Sequence, residues 1–303
     1  MNLRSIPILM MLALAWQPLT AQDQDLFSML EENEKPVVNY TTATFKTTHV
    51  VIGQSIENTP KGNMQFLIQH HFGLINSGYQ NLFGLNQAFI RIGTEYGIND
   101  RIAVGVGLNT YKITWDGYAK VKILRQSTGA RKMPLSVSGY ASVAMVTQEW
   151  TDPDRENYFS SRLSYAFELI LARKFTDWFS LQISPTMVHK NLVATAKDHN
   201  DIFALGGAAR FKLSKRVSVN GEYYYVFPNQ VDESGSRPDI HNSASIGIDI
   251  ETGGHVFQIF LTNSEGLIEE YFIPDTRGNW TKGEIYLGFN ISRMLTVVKP
   301  KLD

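Results

Sequence analysis

The chain has 303 residues, no cysteine and nearly balanced charge, with 28 Lys and Arg against 29 Asp and Glu and a formal net charge of −1. Balanced charge gives no electrostatic basis for binding nucleic acid. The lack of cysteine excludes a disulfide-stapled secreted fold, a Cys-ligated metal and a lipid-anchored N-terminus.

The N-terminus has the pattern of a secretory signal. Arg4 supplies a positive charge, residues 6–16 form an apolar core, and residues 19–21 (LTA) resemble a cleavage site. The core is too short for a transmembrane helix, and no later run of about 18 apolar residues exists. We therefore expect residues 1–21 to be a signal peptide that exports the chain. Residues 22–63 follow as an N-terminal segment, with one strand-like run at 41–53.

From residue 64 onward, amphipathic segments follow one another. Each alternates an apolar side with a polar side, which is the period of a strand with two different faces. Segments of about ten residues are long enough to cross a hydrocarbon layer when they are tilted. We predict twelve strands, at residues 64–74, 87–96, 101–109, 118–125, 135–147, 161–174, 179–189, 203–213, 217–226, 243–251, 255–262 and 282–293.

Charged side chains in the polar faces favour a membrane barrel over a soluble sandwich. A sandwich core would not hold them, whereas a water-filled lumen would. The candidates for lining the lumen are Arg91, Glu95, Lys120, Lys122, Arg162, Glu168, Arg210, Glu222, Asp249 and Glu284. Aromatic residues also gather near strand ends, as in interfacial girdles. The sequence thus predicts an all-β fold, a closed antiparallel transmembrane β-barrel of about twelve strands. A soluble periplasmic β-sandwich binding protein is an alternative.

Short and long connections alternate along the chain, as periplasmic turns and outer loops do. With twelve strands, both ends of the barrel lie on the short-turn side, and residues 282–293 pair with 64–74 to close it. Residues 22–63 are then expected to stay in the periplasm or plug the barrel mouth. Residues 64–294 would form the barrel and 295–303 a tail. The alternative is that residues 41–53 are a barrel strand and that another strand has been split.

Four stretches resemble an uncharacterised family. They are residues 25–32 (DLFSMLEE), 44–55 (TFKTTHVVIGQS), 263–270 (NSEGLIEE) and the strand at 283–293. With them, nearly the whole chain after the signal is similar to an outer-membrane β-barrel family of the Bacteroidota, a domain of unknown function. The resemblance implies an outer-membrane location, and it implies no activity and no catalytic residues. The polar tail at 294–303 departs from the barrel-assembly signal, which typically ends a chain on an aromatic residue.

Two long loops contain metal-ligand residue types, but without the spacing of a metal motif. These residues are His189, Asp198, His199 and Asp201 in one loop, and Asp232, Glu233, Asp239 and His241 in the next. Irregular spacing favours solvated loops, so we expect no metal and no other cofactor. His70 and His71 are adjacent and point to opposite faces of a strand, so they do not share a metal.

The sequence shows no catalytic arrangement. It has no Gly-x-Ser-x-Gly elbow and no evident Ser–His pair on one rim face, so we predict a non-enzymatic protein. Twelve strands lie between small filled barrels and open porins, which leaves a small-solute pore or a scaffold for periplasmic partners. A lipase- or protease-type barrel enzyme with a rim site is the alternative. The expected partners are outer-membrane lipid, the barrel-assembly machinery and a periplasmic protein.

Overall fold

The computed structural model describes residues 37–150, 152–231 and 240–299. The strands are β1 (Val38–Tyr40), β2 (Asn63–Leu74), β3 (Ala88–Gly97), β4 (Ile102–Asn109), β5 (Thr114–Leu124), β6 (Ser127–Gly129), β7 (Ser136–Val146), β8 (Leu163–Lys174), β9 (Phe179–Lys190), β10 (Asp201–Lys212), β11 (Val217–Val226), β12 (Ser243–Thr252), β13 (His255–Thr262) and β14 (Tyr286–Thr296). One short helix, α1, spans Glu269–Phe272, and 3₁₀ turns occur at Ile75–Ser77, Tyr79–Gly84, Tyr111–Ile113, Phe159–Arg162 and Trp280–Lys282. The predicted signal peptide and residues 22–36 lie outside the described residues.

Twelve strands, β2 to β5 and β7 to β14, form one closed antiparallel barrel, which confirms the predicted fold class. The last strand closes the sheet by pairing with the first. In that pairing Phe289 lies opposite His70 and Asn290 opposite Gln69. The closing strand begins at Tyr286 and ends at Thr296, so it is shifted toward the C-terminus from the predicted 282–293. No helix in the described ranges is both long and apolar enough to cross a membrane.

Alternation along each strand separates two environments, as β12 illustrates. Ser245 and Asp249 are buried inside the barrel, whereas Ile246 and Ile248 are about half exposed on the outside, at 52% and 46%. A band of exposed aliphatic side chains around a closed sheet is the surface that membrane barrels present to hydrocarbon. The barrel therefore turns its polar faces inward and its apolar faces outward.

Residues 41–53 do not form a barrel strand. The expectation of a strand-like run there is wrong, and so is the alternative that these residues are a barrel strand and that another strand has been split. In the structure this stretch is irregular, with one isolated bridge between His49 and Gln54. Val50, Val51 and Ile52 are consecutive, and each is only 1% exposed. Three successive buried side chains do not fit the alternation of a two-faced strand, but they fit a chain surrounded by the barrel wall.

The described residues divide into two units. The smaller contains residues 37–39 and 129–131, in which the Ala130 amide donates to the Val37 carbonyl. β1 and β6 form a separate two-stranded sheet. The larger unit contains the described residues 40–128 and 132–299, and thus the whole barrel.

Candidate functional site

A segment of the chain just before β2 fills the interior of the barrel from its short-turn end. We name residues 41–60 the plug. The Lys46 ammonium contacts the Lys215 carbonyl and pairs with Glu251, both near short turns. After the plug, the Gly62 amide donates to the Gly97 carbonyl at the same end. The plug therefore enters and leaves the lumen at one rim.

Glu222 of β11 holds the tip of the plug. Its carboxylate accepts the main-chain N–H groups of Val51 at 3.1 Å, Ile52 at 2.8 Å and Gly53 at 3.3 Å. Successive N–H groups that converge on one anion form an anion-binding concavity. Glu222 is almost fully buried, and the plug thus supplies the hydrogen bonds that a buried carboxylate requires.

Lys120 of β5 donates hydrogen bonds to main-chain carbonyls of the plug. Its fully buried ammonium donates to the main-chain oxygens of Thr48 at 3.2 Å, Ser55 at 3.2 Å and Glu57 at 3.0 Å. An ammonium has three donors, and all three are directed at the plug. The same nitrogen lies 3.9 Å from a carboxylate oxygen of Glu95.

Five further wall side chains bond to the main chain of the plug. Four of them donate to plug carbonyls: Arg210 to Ala43 and Thr44, Gln182 to Gln54, Gln258 to Val50 and Asn290 to Val51. Two accept from plug amides: Gln182 from Ile56 and Glu95 from Thr59. These five side chains lie on five different strands of the barrel. The wall therefore supplies the hydrogen bonds that an irregular buried backbone cannot make within itself.

A second segment, residues 263–279 between β13 and β14, folds into the lumen from the long-loop end. We name it the inserted loop. Its helix α1 is buried throughout. The Glu269 carboxylate accepts from the Tyr140 hydroxyl and the Glu270 carboxylate from the Ser142 hydroxyl. Burial, with the neighbouring charge of Glu269, raises the pKa of Glu270 to about 8.

The rim contacts of the inserted loop come from two strands and one turn. The hydroxyls of Tyr271 and Thr114 are hydrogen-bonded at 2.6 Å. Asp275 accepts from the Lys190 ammonium at 2.8 Å and lies 3.4 Å from that of Lys112. These contacts fix the inserted loop to β5, to β9 and to the turn before β5.

The plug and the inserted loop meet in one apolar cluster inside the barrel. Val50 and Ile52 of the plug belong to the same buried cluster as Phe272 and Ile273 of the inserted loop. Tyr224 stands edge-on to Phe272, with ring centroids 5.0 Å apart. It also packs against Gly53, where an added Cβ would lie 2.2 Å from the phenolic oxygen. The two segments thus pack against each other inside the barrel, as side chains do in a protein core.

Seven of the ten predicted lumen residues are buried on barrel strands. They are Arg91, Glu95, Lys120, Glu168, Arg210, Glu222 and Asp249. Arg91 forms a buried ion pair with Asp116 and donates to the Gln69 side chain at 3.0 Å. Glu168 accepts from the Tyr224 hydroxyl at 3.2 Å and the Thr186 hydroxyl at 3.3 Å. The structure thus brings these charges together with polar partners in the wall, the plug and the inserted loop.

The other three predicted lumen residues lie near the ends of the barrel. Lys122 is partly exposed and lies 3.7 Å from a carboxylate oxygen of Glu57. The placement of Arg162 is corrected: it lies in the turn before β8, donates to the Val146 and Gln148 carbonyls, and stacks 4.1 Å from the Trp150 ring. Glu284 precedes β14 and accepts from the Asn279 amide. Arg162 and Glu284 precede the barrel strands β8 and β14, because these strands begin later in the sequence than predicted.

Sequence reasoning missed the polar amides and one acid that hold the interior together. Gln182 and Asn290 lie on faces predicted to be polar, and Gln69 and Gln258 lie in predicted strands, but all four are uncharged and a charge criterion passes over them. Asp116 lies before the strand predicted at 118–125, whereas β5 already begins at Thr114. An uncharged amide at an inward position is a usable signal, because a Gln or Asn side chain offers both a donor and an acceptor.

The metal-ligand residue types within the described ranges do not assemble into a site. No group of three His, Cys, Asp or Glu able to hold a metal occurs among the residues that the structure describes. His189 pairs with Asp201 at 2.6 Å through Nδ1, and its Nε2 lies 3.0 Å from the Asn191 side-chain oxygen. Asp198 accepts from the Thr195 amide. Asp232, Glu233 and Asp239 lie outside the described residues.

The adjacent histidines lie on opposite faces of β2. His70 stacks on Phe289, with centroids 4.8 Å apart, and His71 is fully buried with its ring edge-on to Phe260 at 5.3 Å. They therefore contact different environments.

Comparisons with known proteins cover the plug, the wall and the inserted loop. The family model of the membrane bound beta barrel domain (DUF5777) matches residues 45–295. The NanC porin aligns with 78% of this chain and 100% of its own, at 8% identity and a TM-score of 0.48. The KdgM porin aligns with 77% and 97%, at 9% identity and 0.43. The translocator domain of the autotransporter NalP from Neisseria meningitidis aligns with 79% and 90%, at 9% identity and 0.35. No curated protein matches the chain.

Proposed function

The chain belongs to the family of membrane-bound β-barrel domains, and we propose that it is an outer-membrane barrel that is closed to passive solute flow and acts, without catalysis, as a scaffold for a periplasmic partner. Barrels with an outward apolar band and inward polar faces are the class found in outer membranes. The signal peptide expected at residues 1–21 supports the same location, because it would export the chain.

The observation that carries this proposal is the contact between the plug and the inserted loop in the middle of the lumen. A pore needs a continuous water-filled path, and two chain segments occupy that path from opposite ends. Each net hydrogen bond contributes about 0.5–1.5 kcal/mol, and the wall makes such bonds along the length of the plug. Spontaneous withdrawal of the plug would also leave Lys120 and Glu222 without their partners. The closed form is therefore expected to dominate.

The scaffold role is favoured over a rim enzyme by the surroundings of His189. In a catalytic pair the nitrogen remote from the carboxylate faces a nucleophile. Here that nitrogen faces the Asn191 oxygen, and the Asn191 amide nitrogen is fixed by donating to the Ser160 carbonyl at 2.8 Å. Both ring nitrogens of His189 thus face acceptors, which makes the pair a structural contact of the long-loop rim.

Ion conductance in planar bilayers tests whether the barrel is closed. The full chain, with folding verified by heat-modifiable gel mobility, is expected to show no steady current. A variant in which residues 44–59 are replaced by an equal length of Gly and Ser is expected to conduct. A steady current from the folded full chain would overturn the proposal.

A further inference from the structure

The wall of the lumen binds the plug through its main chain. Glu222 and Glu95 accept from plug amides, Lys120 and Arg210 donate to plug carbonyls, and Gln182 does both. Polar contacts between plug side chains and the wall are fewer and lie toward the ends of the plug, as with Lys46 and Asn58. Recognition of main-chain groups, with pockets for a few side chains, is a general mode of peptide binding.

We propose that the lumen is a peptide-binding site whose resident ligand is the plug, and that it takes a polypeptide segment of the same chemistry from a periplasmic partner. This inference rests on the proposed scaffold function and names the class of partner. The site has a partner for each part of a peptide. Carboxylates accept from its N–H groups, and cations and amides donate to its C=O groups. An apolar floor, the buried cluster that contains Phe272 and Ile273, covers its apolar side chains. A sugar or a small ion would leave the apolar floor uncovered.

The apolar floor sets the preferred sequence of the ligand. Val50, Val51 and Ile52 are buried against the cluster that contains Phe272 and Ile273. The next residue is Gly53, where Tyr224 leaves no room for a Cβ. The expected ligand therefore carries three consecutive apolar residues followed by glycine at the tip of a turn. Polar residues on both sides of that tip keep it soluble before it binds.

Gln182 fixes the register of such a ligand. Its side chain donates to the Gln54 carbonyl at 2.7 Å and accepts from the Ile56 amide at 3.0 Å. One side-chain amide therefore binds both a carbonyl and an N–H group that lie two residues apart on the same chain. Glu222 binds the three amides at the apolar tip, and Gln182 binds the residues that follow the tip. Together they allow a bound peptide only one register relative to the barrel wall.

The plug competes with any peptide added from outside. A ligand tethered by a short linker has an effective concentration on the order of millimolar. Binding in trans is therefore measured on the barrel whose residues 44–59 are replaced by Gly and Ser. The probe is a fluorescein-labelled synthetic peptide of residues 41–62. We expect saturable binding with one peptide per barrel, seen by fluorescence anisotropy, and loss of the steady current of the variant.

Matched peptides separate main-chain from side-chain recognition. N-methylation at Val51 and Ile52 removes two donors to Glu222 and keeps every side chain, so we expect at least tenfold weaker binding. The Thr42→Ala peptide changes an exposed side chain and is expected to bind unchanged. Equal affinity for the N-methylated and the parent peptide would overturn the proposal.

A nicked full chain provides the test if the Gly/Ser variant does not fold. A protease site inserted between Pro60 and Lys61 lets the plug be cut after folding, and excess labelled peptide is then expected to exchange into the lumen. No uptake by a folded, plug-free barrel would overturn the peptide-site proposal. A steady current from the full chain would instead overturn the closed-barrel function. Peptide uptake is measured independently of that current, so the two failures can be told apart.

Discussion

At the scale of single residues, the buried cation Lys120 determines how firmly the plug is held. Lys120→Met keeps the length of the side chain and removes the donors to three plug carbonyls. A buried polar group without a partner costs about 1–3 kcal/mol, so the plug should lose roughly 3 kcal/mol or more of docking free energy. Hydrogen exchange of the Val51–Gly53 amides is expected to accelerate by two orders of magnitude or more, while the barrel strands stay protected.

Lys174→Met is the matched control for that substitution. Lys174 also donates to a plug carbonyl, that of Thr42 at 3.3 Å, but its side chain is partly exposed and water replaces the bond. Exchange at the plug tip should hardly change in this variant. If both substitutions accelerate exchange equally, the three-carbonyl arrangement at Lys120 has no special role.

At the scale of elements, helix α1 of the inserted loop is expected to be held less firmly as pH rises. Burial and the neighbouring Glu269 raise the pKa of the Glu270 carboxyl to about 8, from an ordinary value of 4.5. The docked loop therefore binds more protons than the undocked loop between these values, and docking is strongest below pH 4.5 and weakens up to pH 8. Hydrogen exchange of residues 269–273, corrected for its intrinsic pH dependence, should show less protection at pH 9 than at pH 6.

Other titrating groups face the same helix, and a variant isolates Glu270. Glu269 lies beside it on α1, Asp116 lies on β5, and Tyr140 donates to Glu269 from β7. Glu270→Gln keeps an acceptor for Ser142 and removes one titrating carboxyl. The pH dependence of protection should become shallower in this variant, and an identical profile would show that Glu270 does not control docking.

The wall elements could be predicted from sequence, whereas for the plug the sequence predicts only one of two possible places and not the path of its backbone. Alternation on β12, with Ile246, Ile248 and Ile250 outward, is a local signal of strand and face. The plug has no such period, because its backbone is held by side chains more than 100 positions away, such as Glu222 and Gln182. Alternation also locates strand ends poorly, which is why it predicts Arg162 within a strand although β8 begins at Leu163. Three consecutive apolar residues at 50–52, without alternation, were the one local indication of a buried tip.

At the scale of the whole molecule, the barrel wall carries more buried acid than base, and this predicts the selectivity of an unplugged variant. Among the described buried side chains on barrel strands, the acids are Glu95, Asp116, Glu168, Glu222 and Asp249, and the bases are Arg91, Lys120 and Arg210. Five acids against three bases give a formal excess of two negative charges. In the closed form, plug amides satisfy Glu222 and Glu95. Without the plug, water reaches these carboxylates and they can attract mobile cations.

The conducting Gly/Ser variant is therefore expected to prefer cations. Rings of acidic side chains select cations in channels, so in a gradient of KCl the reversal potential should have the sign of K⁺ permeation. Adding Glu222→Gln and Asp249→Asn to that variant removes two carboxylates, which cancels the formal excess and should move the reversal potential toward zero. Charge removal at the rim, by Glu284→Gln, is the control and should have a smaller effect. Anion preference in the unplugged barrel would mean that the wall charges do not govern permeation, because Glu222 and Asp249 would then not be reached by the ions that cross.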